Sequence, residues 1–130
     1  GALCELLAGD GWNAYVKPFR TLEDVYVLSA MTAWLYGVGQ DSGWSQPLLL
    51  RLLALLAGCA EASRQPPNNP AGHVLLGGLF AQFDALKTEI DQALSEGDPQ
   101  WAQMWQRDQA VMQLASGARA KRLAKAFAVI

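Results

Sequence analysis

The sequence predicts an all-α protein, a single compact bundle of five or six helices joined by short connections. Three observations carry that expectation. Leu and Ala fill about a third of the 130 positions, and both are strong helix formers. No stretch alternates apolar and polar residues over the length of a strand, and β-branched residues are scarce. Proline and glycine fall where helices start and stop, cutting the chain into segments of helical length.

Taken in order, Ala2–Ala8 reads as one or two helical turns, followed by a loop at Gly9–Asn13 that carries Trp12. Thr21, with Asp24 three residues on, resembles a capping box and opens a helix of about Leu22–Tyr36, which the glycine-rich segment Gly37–Gly43 ends. Ser45 caps the next helix, with Pro47 in its first turn where a missing N–H costs nothing, and that helix runs to about Ser63. Residues Arg64–Pro70 contain three prolines, which hold the connection extended. Asn69-Pro70 opens a long helix to about Glu96, stopped by Gly97. Asp98-Pro99 repeats the signal and opens another helix to about Ser116; a last one spans about 118–128. No repeat or linker divides the chain, so residues 1–130 are expected to be one helical domain.

The apolar residues indicate what each helix covers. Leu76, Leu79, Phe80, Phe83, Leu86, Ile90 and Leu94 recur at steps of three and four, one apolar face on the long helix. The helices at 22–36 and 48–60 are instead apolar nearly all round. A helix of that kind is buried centrally or covered by a partner, and a domain of this size has little surface with which to wrap two of them. The run from Pro47 to Ala60 is shorter than the roughly 20 residues that cross a bilayer and is interrupted by Arg51. Gly77-Gly78 within the long helix points to the close approach of a neighbouring helix.

Composition narrows the function classes. Hydrophobic residues make up 52% and charged residues 17%, with a net charge of −2, which excludes intrinsic disorder and argues against a wholesale polyanion binder. Two cysteines without a CxxC spacing, Cys4 and Cys59, read as buried thiols in a reducing cytosol. A single histidine, His73, cannot build a Cys/His zinc site, and no phosphate-binding loop, dinucleotide fingerprint or nucleophile elbow occurs. No catalytic residue, metal ligand or cofactor is therefore expected.

One short motif stands out. His73-Val-Leu-Leu-Gly77 resembles the His-x-Leu-Lys-Gly core of histidine phosphotransfer domains, four-helix bundles of similar size, at His73, Leu75 and Gly77. It departs at Leu76, where that family has a lysine supporting the phosphoryl group. It departs also in context, since His73 follows Pro70 by three residues and sits in a first helical turn. The expected role is that of a helix-start histidine with a partly exposed ring.

Two features suggest contacts with another molecule. Trp12 and Trp44 stand in loops beside glycines, and Trp101, Met104 and Trp105 share one helix face; such aromatics are usually core and sometimes interface anchors. Residues 1–118 hold 6 basic and 12 acidic side chains, whereas Arg119, Lys121, Arg122 and Lys125 crowd the end of the chain. With Ala120, Leu123, Ala124 and Phe127 on the other side, the terminus reads as a basic amphipathic helix. The favoured expectation is that it folds back on the chain's own acidic stretch, Asp84–Asp98, the others being an acidic partner or nucleic acid.

The function these features support is a non-enzymatic helical protein-interaction or accessory module of bacterial, cytoplasmic type, acting as a homo-oligomer or as a subunit of a larger assembly. Its expected contact residues are Arg119, Lys121, Arg122, Lys125, Trp12, Trp44, Trp101 and Trp105. The alternatives are a nucleic-acid-contacting subunit using the basic C-terminal helix, and a small-ligand binder with a pocket between the apolar helices and the Trp/Met face. No membrane contact is expected.

Overall fold

The computed structural model describes residues 17–66, 69–113 and 116–129. These residues form five helices and no strands: α1 (Lys17–Ser42), α2 (Gln46–Arg64), α3 (Pro70–Ser95), α4 (Pro99–Gln113) and α5 (Ser116–Val129). The turn expected at Ala2–Ala8 and the loop carrying Trp12 lie outside the described residues.

The caps read from Ser45, Asn69 and Asp98 are present. Ser45 Oγ accepts from the Leu48 N–H at 3.4 Å, Asn69 Oδ1 from Ala71 at 3.1 Å, and Asp98 Oδ1 from Gln100 at 2.9 Å. Each side-chain oxygen satisfies one of the amides that a helix start leaves without an intrahelical partner.

Both ends of α1 differ from expectation. It is already helical at Lys17, so Thr21 lies inside it and Asp24 belongs to no capping box. It also runs through Gly37 and Gly39 and stops only at Gly43, whose φ of 70° is left-handed. There the Trp44 amide donates to Gly39 O at 2.9 Å and the Gly43 amide to Gln40 O at 3.4 Å. This 6→1 and 5→2 pair is a Schellman termination. Gly39 serves packing instead: a Cβ there would lie 2.6 Å from Trp44 Cε3 and 2.8 Å from Leu49 Cδ2.

Helix α3 touches each of the other four, and α1 with α2 forms the most extensive pair. All seven residues of the expected α3 stripe are buried. At about 1.5 Å per residue, α3 is about 39 Å long and α4 and α5 together about 43 Å. The last two helices follow one another along it. Trp105 of α4 lies against Phe83, with ring centroids 5.7 Å apart, and Leu123 of α5 sits over Gly77, where a Cβ would come within 2.7 Å of its Cδ1. Gly77 is thus the close approach expected of the glycine pair, whereas Gly78 faces open space.

Candidate interaction surface

Helix α2 has two apolar sides. Leu48, Leu52, Leu55, Cys59 and Ala62 enter the core. On the opposite side Leu50 is 55% and Leu53 40% exposed, with Ala54 and Ala57 exposed beside them. Residues 50, 53, 54 and 57 recur at helical spacing, so they form one stripe. Its only charged neighbour within Pro47–Ala60 is Arg51, and Arg51 turns aside: Nη2 reaches Glu89 Oε2 of α3 at 2.5 Å. Among the described residues α2 alone has the length and apolar composition of a membrane-crossing helix, and 28% of that stretch is buried.

The tryptophans do not form a comparable surface. Trp105 is 1% exposed, and its Nε1 donates to Asp91 Oδ1 at 2.5 Å. As a contact residue it is corrected to a core residue: the large ring fills the space between α3 and α4, and the indole N–H finds its acceptor within the chain. Trp101 is half-buried and meets Trp34 of α1 edge-on, with centroids 6.1 Å apart. Trp44 is half-buried over Gly39. Trp12 lies outside the described residues.

The basic terminus divides. Arg122 Nη2 bonds Asp24 Oδ2 of α1 across 98 residues of sequence, and the two side chains are only 13% and 11% exposed. Arg122 therefore folds back on the chain, but onto a carboxylate of α1 and not onto the expected stretch Asp84–Asp98. Within Asp84–Asp98, Glu89 is taken by Arg51, Asp84 by Lys87 at 2.9 Å and Asp91 by Trp105. Helix α5 is correspondingly rotated from the expected face. Arg122, Leu123 and Ala126 are turned in, while Ala120, Ala124 and Phe127 are exposed, Phe127 by 62%. The ion pair with Asp24 lies on that inward face, beside Leu123 over Gly77. Lys121 and Lys125 are exposed, one turn apart; the side chain of Arg119 lies outside the described ones.

Beside this pair, α3 and α5 enclose a half-open cleft of about 180 Å³ with a floor of Leu76, Phe80 and Leu123 and with His73, Asp84 and Arg122 at its edge. It lies away from the Trp/Met face, where a ligand pocket was expected. Cys59 is buried, and that burial raises its thiol above the ordinary value of 9.0, with a hydrogen bond from Ser29 working the other way. It is held as the unreactive thiol at neutral pH. Among the described residues no three His, Cys, Asp or Glu side chains converge to hold a metal ion.

Comparison with known proteins finds no matching family model, no similar curated protein and no similar solved structure. Two groups of residues escaped the reading of the sequence. Asp24 carried only the local signal of a capping residue, whereas the structure pairs it with Arg122 far along the chain. Leu50 and Leu53 carried a signal of their own: they stand half a turn away from Leu48, Leu52 and Leu55, so only a centrally buried helix would cover both sides.

Proposed function

We propose that the five helices form one compact, non-enzymatic interaction module, which works by docking another protein chain on the outer face of α2. The exposure of Leu50 and Leu53 on a stripe free of charge carries this reading. Fully burying a leucine side chain is worth about 1.5–3 kcal/mol, so a second chain seated there gains what the fold itself leaves in water. Contiguous apolar stripes of this kind mark interaction sites on soluble domains more often than isolated exposed leucines do.

The test compares wild type with Leu50→Lys/Leu53→Lys. Both side chains point to water, so the variant should keep its helical spectrum and melting midpoint. Wild type should run in a complex on a sizing column, whether purified or in an extract of its host, and the variant at the mass of one chain. Wild type at single-chain mass in both settings contradicts the proposal.

A second reading rests on Lys121 and Lys125, exposed one turn apart on α5, and takes nucleic acid as the partner. It predicts binding that weakens steeply with salt and is lost in Lys121→Glu/Lys125→Glu. Undiminished binding at high salt counts against it.

A further inference from the structure

We infer that the chain docked on α2 is a second copy of this protein, with the two α2 helices antiparallel about a two-fold axis between residues 53 and 54. This rests on the interaction reading above and names its partner. The exposed stripe reads Leu50, Leu53, Ala54, Ala57: large residues at one end, small at the other. Turned end for end, the same stripe presents alanines where the first presents leucines. An antiparallel pair therefore seats Leu50 over the partner copy's residue 57 and Leu53 over its residue 54, so each leucine fills the notch left by an alanine. This is the self-complementarity that a two-fold interface demands, one patch matching itself, and it lets ridges pack into grooves along the contact.

The flanks agree with the same alignment. It places Gln46 opposite residue 61, a glutamate that Arg64 of the same chain holds at 3.2 Å, and brings Arg64 to within two residues of the exposed Asp41. A parallel pair would instead set Glu61 on Glu61 and Arg64 on Arg64, which like charges oppose. Antiparallel packing also opposes the two helix dipoles favourably. Helix α2 is about 28 Å long at 1.5 Å per residue, so this stripe buries less than the roughly 800 Å² per partner of a standard interface. The dimer should accordingly be in reversible equilibrium with single chains.

The experiment uses the purified full chain in a Cys4→Ser background, Cys59 being buried. Sedimentation equilibrium should give a mass rising with concentration from 14.1 kDa to twice that. Under mild oxidation Leu53→Cys should cross-link to itself, being next to the axis. Leu50→Cys and Ala57→Cys should cross-link when mixed, and neither alone. Self-cross-linking of Leu50→Cys as efficient as that of Leu53→Cys shows a parallel pair and overturns the inference. So does a single-chain mass at every concentration, which leaves the α2 face to a different protein if the host extract still yields a complex sensitive to Leu50→Lys/Leu53→Lys. A monomer that cosediments with phosphatidylcholine vesicles overturns it in favour of a bilayer surface.

Discussion

Asp24→Asn is the most informative single change to the fold. It keeps the shape of the side chain and removes the charge that faces Arg122. Two unit charges 4 Å apart attract by about 4 kcal/mol at an effective dielectric of 20. The side chains of this pair are 11% and 13% exposed, so water can replace little of what is lost. Breaking a buried pair from one side costs about 3–5 kcal/mol, chiefly because the remaining charge stays buried and uncompensated. The loss should fall near the lower bound, about 3 kcal/mol, since neither side chain is fully enclosed. That is a large share of the roughly 5–15 kcal/mol that holds a domain together. Arg51→Gln at the exposed Arg51–Glu89 pair, whose side chains are 47% and 50% exposed, should cost only about 0.2–1 kcal/mol and less in high salt. Urea unfolding followed by circular dichroism measures both. The singles Asp24→Leu and Arg122→Leu form a cycle with the double variant Asp24→Leu/Arg122→Leu, which should return to within about 1 kcal/mol of wild type, because the desolvation of both charges disappears with them. Losses below about 1 kcal/mol for Asp24→Asn, or single losses that simply add in the double variant, would refute the claim that Asp24 and Arg122 form a buried, coupled pair.

Other consequences can be checked alongside. Gly78→Ala should stabilise by about 0.5–1 kcal/mol, since it faces open space in a helix interior. Gly77→Ala should gain less than Gly78→Ala, because its Cβ would come within 2.7 Å of Leu123 Cδ1 and make that side chain shift; thermal melts giving equal gains for both would contradict the packing of α5 on α3. The raised thiol of Cys59 makes the folded state hold a proton that the unfolded chain releases near 9.0. Its contribution to stability is complete below that pH and declines above it, by up to about 1.4 kcal/mol per pH unit, until the folded thiol also ionises. The difference in unfolding free energy between wild type and Cys59→Ala should therefore shrink through that window, and a constant difference would mean that the thiol is not buried. His73→Ala should leave assembly unchanged and change stability little; an acid-labile phosphate on His73 would reverse that.

What was legible in the sequence was local. Ser45 with Pro47, Asn69 with Pro70 and Asp98 with Pro99 fix helix starts through contacts within three residues, and all three starts appear where those residues stand. The α3 stripe was equally plain, because a helix repeats its buried face every three or four positions. Long-range contacts were not. Asp24 looks the same in sequence whether it caps a helix or meets a cation 98 residues away. Gly37 and Gly39 resembled a stop signal because glycine serves both to end helices and to admit neighbours; only the ring of Trp44 over Gly39 tells the two apart. Tryptophan drew attention as the commonest interface anchor, yet Trp105 is core and the exposed apolar stripe is built from leucine and alanine.

The central claim is that the outer face of α2 is where this protein meets another chain. Hydrogen exchange at the amides of α2, measured in dilute and concentrated protein, tests it most directly. Association there should slow exchange around Leu50–Ala57 as concentration rises and leave α4 and α5 unchanged, with the concentration dependence abolished by Leu50→Lys/Leu53→Lys. Protection that grows instead on α5, or that grows equally in the variant, would contradict the account.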